Sequence, residues 1–236
     1  MARFPGVDYC LIDSLLSEQE LLVRQTARQF VDERVLPVIR DAFRDARFPC
    51  ELIPEMGRLG FFGANLEGYG CAGMSNVEYG LVMQELERGD SGIRSFASVQ
   101  GALSMYPILT YGSEEQKERW LPRLQSGEAL GCFGLTEPGF GSNPAGMLTR
   151  ARREGSCWVI DGEKTWITNG SIADIAIVWA RTEEGIRGFL VEKGTAGFTS
   201  SELHGKLSMR ASVTASLSFS DCRVPASAVL PGAKGL

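Results

Sequence analysis

The hydrophobic period of the chain changes once, near residue 131, and this change limits the fold more than any single motif. Before it, apolar residues recur at helical spacing behind capping boxes that begin at Ser17, Ser75 and Ser113. After it, apolar and polar residues alternate as they do in half-buried strands. Because the helices precede the strands, a doubly wound nucleotide-binding fold is excluded. The order predicts an α+β protein with an all-α helical bundle at 1–128, an antiparallel β-barrel or β-sandwich domain at 129–228, and the start of a linker at 229–236.

Turn residues predict where individual elements end. Gly127 is expected to stop the helix that begins after Ser113, and Pro37 is expected near the end of the first helix. In the β domain, Asp161-Gly162 is a strong two-residue hairpin signal, and a second hairpin is expected near Glu184-Gly185. The Gly-x-Gly-x-x-Gly match in GYGCAG is interpreted as a loop between helices, since no strand precedes it.

Composition bears on partners and compartment. The net charge of −5 comes from 24 basic and 29 acidic residues mixed along the chain, so no basic stripe indicates nucleic acid. The longest apolar stretch, IADIAIVWA, is too short to span a bilayer, and the N-terminus lacks the apolar core of a signal peptide. Six scattered cysteines without a C-x-x-C pair suggest reduced thiols, and a single histidine gives little basis for a metal site. We therefore expect a soluble cytoplasmic protein without nucleic-acid, membrane or metal partners.

The stretch GCFGLTEPGFGSNPAG at 131–146 is dense in glycine, which indicates close approach of its backbone to another group. Together with KTWITN at 164–169 it offers bare N–H groups, the hydroxyls of Thr136 and Thr168, and the ring of Trp166. A planar heteroaromatic ligand with hydrogen-bonding edges would use such a set. A structural hairpin loop with a core tryptophan would have the same spacing, so these residues alone leave both interpretations open.

These stretches resemble the acyl-CoA dehydrogenase family. GCFGLTEPGFGSNP, GEKTWITNGSIADI and GKLSMRAS followed by DCRVPASAVLPG match its signature segments in order through essentially the whole chain. The resemblance implies FAD as the cofactor, with Ser142 between the flavin and the acyl-CoA. The cofactor-binding residues that it implies are Phe133, Gly134, Leu135, Thr136, Gly141, Ser142, Trp166, Ile167 and Thr168.

The segment ELERGDSGIRSFASVQ at 85–100 bears on which acyl group the protein binds. Asp90 or Ser91 is expected to cap a helix, which places Arg94 in its first turn, where a cation opposes the helix dipole. Glu87 has the unfavourable charge for the end of the preceding helix, so the two side chains are expected to face each other or a ligand. A surface ion pair is the alternative that these residues leave open.

Within the family, this segment resembles the glutaryl-CoA dehydrogenases, whose matching arginine pairs the free carboxylate of a dicarboxylyl thioester. The resemblance implies FAD-dependent α,β-dehydrogenation of glutaryl-CoA in lysine and tryptophan degradation, with decarboxylation to crotonyl-CoA. It also implies that an electron-transferring flavoprotein accepts the electrons. The substrate-binding residues that it implies are Glu87, Arg94, Ser95, Ser98 and Ser142.

The family has a third, helical domain that supplies the catalytic glutamate, much of the CoA channel and a tetramer interface. No residue of this chain matches that glutamate, so the base is expected beyond residue 236. We expect a fragment of a full-length homotetrameric enzyme. The alternatives are a truncated, non-catalytic module that binds acyl-CoA or flavin, an assembly partner of such an enzyme, and a related dehydrogenase or oxidase of different chain specificity.

Overall fold

The computed structural model describes residues 9–235, in which the helices precede the strands. Residues 1–8, on which the expectation of no signal peptide depends, lie outside the described residues. The α-helices are α1 (Glu18–Phe30), α2 (Leu36–Arg44), α3 (Ile53–Arg58), α4 (Asn76–Gly89), α5 (Ser91–Ser98), α6 (Tyr106–Tyr111) and α7 (Glu114–Ser126). The strands are β1 (Gly131–Gly134), β2 (Arg150–Glu154), β3 (Cys157–Thr168), β4 (Ile175–Thr182), β5 (Gly185–Glu192), β6 (Phe198–Glu202) and β7 (Thr214–Pro225).

The predicted helix ends are confirmed in most places. Capping boxes begin α1, α4 and α7 at Ser17, Ser75 and Ser113, and each serine side chain accepts a backbone N–H from the third residue of its helix. Gly127 ends α7 in the left-handed conformation, with a φ of 78°. The GYGCAG segment is a loop between α3 and α4, as predicted.

The prediction that Pro37 falls near the end of a helix is wrong. A π-helical segment, Val31–Val35, joins α1 directly to α2, and Pro37 lies in the first turn of α2. Proline is tolerated in a first turn because its missing N–H has no partner there in a regular helix. The π-helical turns at Val31–Val35, which are wider than α-helical turns, let the chain continue as a helix into α2.

The β domain is a seven-stranded sheet with the order β1-β4-β2-β3-β7-β6, and β5 pairs with β4. β1 and β2 pair in parallel with successive parts of β4, and the other neighbouring pairs are antiparallel. The predicted order of a helical bundle and a β domain is therefore confirmed, and the sheet is mixed rather than wholly antiparallel.

One of the two predicted hairpins is confirmed. β4 and β5 turn at residues 183–184, next to the predicted Glu184-Gly185. The turn predicted at Asp161-Gly162 is wrong, because β3 runs through it and the chain turns at Gly155-Ser156 instead. Gly162 allows the backbone of Thr149 to pass close to β3, since a Cβ at Gly162 would lie 2.6 Å from the Cα of Thr149.

The helices and the sheet share one hydrophobic cluster, which contains Phe96 and Leu124 from the helices and Ile177 and Val213 from the β domain. Among residues 9–235, no helix is long and apolar enough to cross a membrane. In the same range, no group of three or more His, Cys, Asp or Glu side chains could hold a metal ion.

A buried glutamine joins the two domains at the start of β1. The Gln100 side chain donates to the carbonyl oxygens of Leu124 and Ala129 at 2.9 and 2.8 Å, and its own oxygen accepts the N–H of Gly131 at 2.8 Å. Gln100 lies in a second π-helical segment, Val99–Met105, which joins α5 to α6. A Cβ at Gly131 would lie 2.4 Å from the side chain of Ser104 in that segment, so the strand and the helix are in direct contact.

Candidate functional site

The two segments predicted to hold the cofactor lie side by side. The Thr165 N–H donates to the carbonyl oxygen of Thr136 at 2.9 Å. The Lys164 ammonium donates to the carbonyl oxygen of Leu135 at 3.1 Å. The end of β1 and the second half of β3 therefore present one continuous surface.

Trp166 is displayed on this surface by a break in the β3 ladder. The register of β3 against β7 shifts between Lys164 and Ile167, and Trp166 lies in the shift with a φ of 60°. Such a φ is uncommon for a bulky residue; it costs free energy and persists only where the surrounding structure enforces it. The bulge leaves Trp166 65% exposed. A large aromatic side chain held exposed at this cost offers an apolar surface against which a flat ligand can pack.

The remaining residues predicted for the cofactor differ in how much of each is accessible. Ile167 is buried in the sheet core and pairs with Ala215 of β7. Gly134 is buried, and a Cβ there would lie 3.3 Å from the Lys164 side chain. Half-buried positions are Phe133, Leu135, Thr136 and Thr168, and exposed positions are Gly141 and Ser142.

This set fits the isoalloxazine ring of FAD. The Trp166 ring supplies an apolar wall, and the Thr136 and Thr168 hydroxyls supply polar groups for a heterocycle edge. The glycines of the 131–146 stretch let a ligand approach the main chain, and a Cβ at Gly141 would have no neighbour within 4 Å. The individual roles of these residues stay predictions.

Glu137 and Lys164 form a buried ion pair behind this surface that sequence analysis missed. Their Oε1 and Nζ atoms are 2.9 Å apart, with 4% and 0% of the two side chains exposed. Burial raises the pKa of Glu137, but hydrogen bonds from Thr149, the Leu148 N–H and Lys164 outweigh it and lower the pKa to about 2. Burial lowers the pKa of Lys164, and Glu137 opposes that effect.

The sequence does contain a signal for this pair. Ile160, Gly162 and Lys164 are spaced by two along β3, so the alternation puts a lysine in line with the buried Ile160. A buried lysine requires an acidic partner. Glu137 follows Thr136, a predicted cofactor residue, and is the nearest acid to that segment in the sequence.

At the predicted acyl end, Arg94 and Glu87 face each other as expected. Asp90 caps α5 and places Arg94 in the first turn. The Arg94 Nε donates to Glu87 Oε2 at 2.7 Å, and the Ser91 hydroxyl donates to Glu87 Oε1 at 2.5 Å. These hydrogen bonds, first that from Arg94, lower the pKa of Glu87 and keep it ionised.

The Arg94 guanidinium keeps hydrogen-bonding capacity for another group. Within the described part of the chain, its two terminal nitrogens have no hydrogen-bond partner. Its side chain is 36% exposed. Burial raises the pKa of Tyr79 on α4 and the Arg94 charge opposes this, so the phenol also lies within the field of the guanidinium. Ser98, half-buried, follows Arg94 by four residues on the same helical face, and Ser95 is buried.

Residues 211–213 connect the two predicted parts of the site. The N-terminus of α5 packs on them so closely that a Cβ at Gly92 would lie 2.7 Å from the carbonyl oxygen of Ala211. The N–H of Asn169, just after β3, donates to the carbonyl oxygen of Val213 at 3.1 Å. The Asn169 side chain also donates to the Gly131 carbonyl oxygen at 3.3 Å. The helix that carries Arg94 and the bulge that carries Trp166 are therefore fixed to the same short segment.

The site is an open face in this chain. Trp166 and Ser142 are exposed, and Arg94 is half-buried. A cleft of about 880 Å³ lies elsewhere on the β domain, over Trp158 and the arginines of β2, and contains none of the predicted site residues.

Residues 17–128 match the family description "Acyl-CoA dehydrogenase, N-terminal domain", and residues 132–222 match "Acyl-CoA dehydrogenase, middle domain". The human mitochondrial short-chain specific acyl-CoA dehydrogenase is 38% identical over 221 residues, which cover 91% of this chain and 54% of that protein. The chain thus spans about half the length of the curated relatives it matches.

Two solved structures share the fold closely. A Mycobacterium smegmatis glutaryl-CoA dehydrogenase in complex with FADH2 is 60% identical with a TM-score of 0.94, over 95% of this chain and 58% of that one. A glutaryl-coenzyme A dehydrogenase in complex with glutaryl-CoA is 35% identical with a TM-score of 0.88, over 92% of this chain and 58% of that one.

Proposed function

The chain belongs to the acyl-CoA dehydrogenase family, and we propose that it is the part of a glutaryl-CoA dehydrogenase that binds the flavin and recognises the acyl group. Its cofactor is FAD, and its substrate is a thioester whose acyl group ends in a carboxylate. The observation that carries the choice of substrate is the Arg94 guanidinium, which is oriented by Glu87 and has two terminal nitrogens available.

The support for FAD comes from the surface around Trp166. That surface combines an outward aromatic ring, threonine hydroxyls and accessible main chain, and the neighbour at 60% identity was solved with FADH2. When bound, FAD supplies the two-electron oxidation of the α,β bond of the thioester. The part of this chain would be to hold and orient the ring, with Trp166 as its apolar wall, Thr136 and Thr168 as hydrogen-bond partners for its edge, and Ser142 between the flavin and the acyl-CoA.

The support for a dicarboxylyl substrate comes from charge. A planar guanidinium can bind a carboxylate at two points, and Glu87 accepts from Nε and so holds the fork in place. An acyl group that ends in a methyl would leave the two terminal nitrogens of this guanidinium without hydrogen-bond partners once the pocket closed over them, at a cost of about 1–3 kcal/mol for each donor. We assign no catalytic base among residues 9–235, and Glu87 is committed to Arg94.

The proposal extends to steps outside this chain. Decarboxylation to crotonyl-CoA, an electron-transferring flavoprotein as acceptor and a homotetramer all follow from the family resemblance. The cytoplasmic location stays a prediction, and the human relative is described as mitochondrial.

A second candidate substrate is a short unbranched acyl-CoA. It is favoured by the 38% identity with the human short-chain specific enzyme. In that case Arg94 and Glu87 would be a surface ion pair that contributes under about 1 kcal/mol to stability.

The experiment that separates the two substrates is a comparison of thioesters with the intact enzyme that contains this chain. Turnover of glutaryl-CoA, butyryl-CoA and isovaleryl-CoA is measured with one dye as electron acceptor. We expect the highest kcat/KM for glutaryl-CoA, with crotonyl-CoA and CO2 as products. A higher kcat/KM for butyryl-CoA would reject the glutaryl assignment, and a protein that takes up no flavin would reject the FAD assignment.

A further inference from the structure

The Glu137 carboxylate bridges three stretches of chain that lie far apart in sequence. Its Oε1 accepts from the Lys164 ammonium on β3 and from the Thr149 N–H, both at 2.9 Å. Its Oε2 accepts from the Leu148 N–H at 2.6 Å. The carboxylate thus closes the loop at 138–147, which carries Gly141 and Ser142, onto the start of that same loop.

The Lys164 ammonium has two further contacts besides Glu137. It donates to the carbonyl oxygen of Leu135 at 3.1 Å, two residues before Glu137, and lies 3.9 Å from the Met147 sulfur. In the sequence, Lys164 is followed by Thr165, whose N–H donates to the Thr136 carbonyl oxygen, and then by the exposed Trp166. One buried cation, two residues before Trp166, therefore contacts Leu135 in the 133–136 segment and Met147 at the end of the loop that carries Gly141 and Ser142.

The loop has other hydrogen bonds, but they join it to itself and to β4. The backbones of Glu137 and Phe140 exchange hydrogen bonds at 3.0 and 3.4 Å, and Pro144–Gly146 forms a single 3-10 turn. The Arg181 guanidinium on β4 donates to the carbonyl oxygens of Ala145 and Met147 at 2.7 and 3.4 Å. None of these contacts reaches β3, which the Glu137 and Lys164 pair does.

From these contacts we propose that Glu137 and Lys164 are positioning residues of the flavin site: together they hold segments 133–136, 141–142 and 166–168 in the arrangement that FAD binds. The proposal rests on the FAD site proposed above. An apolar pair could fill the same volume, but it could not accept two backbone N–H groups and donate to a carbonyl oxygen. The ion pair therefore supplies directional hydrogen bonds, and these join the segment that contains Leu135 to Leu148 and Thr149, just after the loop that carries Ser142.

The test uses Glu137→Gln, Lys164→Met and the double variant, each in the intact protein. Glu137→Gln leaves a buried cation without its anion, so we expect the largest loss there. Lys164→Met removes the tie to Leu135 and leaves the two backbone N–H bonds of Glu137 in place, so this variant should fold. The matched control is Glu85→Gln, since Glu85 is likewise a buried carboxylate paired with Arg28 and Arg88, and it lies in the helical bundle.

Two measurements are made well below the melting temperature of every variant. Amide hydrogen exchange at 138–149 should be at least tenfold faster in Glu137→Gln than in the control, most of all at Leu148 and Thr149. FAD affinity, followed by flavin fluorescence on reconstitution of the apoprotein, should fall at least tenfold in both Glu137→Gln and Lys164→Met. In the double variant, the melting temperature should recover from that of Glu137→Gln, while FAD affinity stays low.

Three results would overturn the proposal. One is exchange at 138–149 in Glu137→Gln that equals the control, and another is wild-type FAD affinity in a folded Lys164→Met. The third is FAD affinity that recovers in the double variant together with the melting temperature, because the pair would then serve stability alone. If the wild-type apoprotein binds no FAD, the proposed cofactor fails, and the Glu137 and Lys164 positioning proposal fails with it. The exchange measurement still shows whether the pair orders the loop.

Discussion

Arg94→Gln tests the proposed carboxylate site, because it removes the cation and keeps a shorter, neutral polar side chain. In the free protein Arg94 is 36% exposed and Glu87 45% exposed, so their pair is close to a surface ion pair. Its loss should cost under about 1 kcal/mol of stability. The variant should therefore fold and take up flavin normally.

The cost with substrate bound should be much larger. A carboxylate that reaches the two terminal nitrogens of Arg94 makes charge-assisted hydrogen bonds away from water, and truncating one partner of such a pair costs roughly 2–5 kcal/mol. This corresponds to a loss of about 30-fold to several thousand-fold in kcat/KM. Glu87→Gln should do less, because it loosens the guanidinium without removing its charge.

The assay compares kcat/KM for glutaryl-CoA and butyryl-CoA, in wild type and variants, with one acceptor dye. Arg94→Gln should lower the first value far more than the second, since butyryl-CoA has no distal carboxylate. Arg47→Gln is the matched control, because Arg47 forms an exposed ion pair with Glu51 and should change neither value. An equal loss on both thioesters in Arg94→Gln would make Arg94 a structural residue and would remove the main support for the glutaryl assignment.

Three further predictions concern the flavin surface and the domain contact. Trp166→Ala and Thr136→Val should each weaken flavin retention, measured as the ratio of flavin to protein absorbance, and full occupancy in the double variant would contradict the cofactor site. Gln100→Ala should lower the free energy of unfolding by roughly 2–4 kcal/mol in denaturant titration, because it leaves the buried Ala129 carbonyl oxygen and Gly131 N–H without partners and removes one of the two donors to the Leu124 carbonyl oxygen; a loss below about 1 kcal/mol would contradict this role. The pKa of Glu137 is lowered to about 2 in the folded protein, so its ionised form contributes stability above pH 4.5 that is lost as the pH falls toward 2. The difference in unfolding free energy between wild type and Glu137→Gln should therefore be constant from pH 7 to 5 and shrink by up to about 3 kcal/mol below that; a difference independent of pH would contradict it.

Local signals predicted the elements well where their cause is local. The capping boxes at Ser17, Ser75 and Ser113 depend on residues three apart, and all three are present. The prediction of a hairpin at Asp161-Gly162 was wrong because a tertiary contact, and not a turn, requires the glycine. Thr149 packs where a Cβ of Gly162 would be. The Asp161 carboxylate accepts the N–H of Asp221 at 2.7 Å. An Asp-Gly pair has the same appearance in a turn and in a strand crossed closely by another segment.

The same distinction applies to the site. Arg94 and Glu87 are seven residues apart on either side of a helix cap, so their meeting could be predicted from charges and the dipole. Glu137 and Lys164 are 27 residues apart, and their pairing depends on how β1 approaches β3. Alternation could show that Lys164 needs an acid, but it could not show which acid.

The connection between Arg94 and the flavin surface passes through a short, continuous path. α5 runs without a break into the π-helical segment that contains Gln100, six residues after Arg94, or about 9 Å of helix at the usual rise. Gln100 binds the first residue of β1, and Phe133 follows two residues later. Because the Gln100 side chain is buried and hydrogen-bonded to both domains, it fixes the helix that carries Arg94 relative to β1. We therefore expect selection among dicarboxylyl chain lengths to depend on this fixed spacing as well as on the side chains that line the acyl pocket.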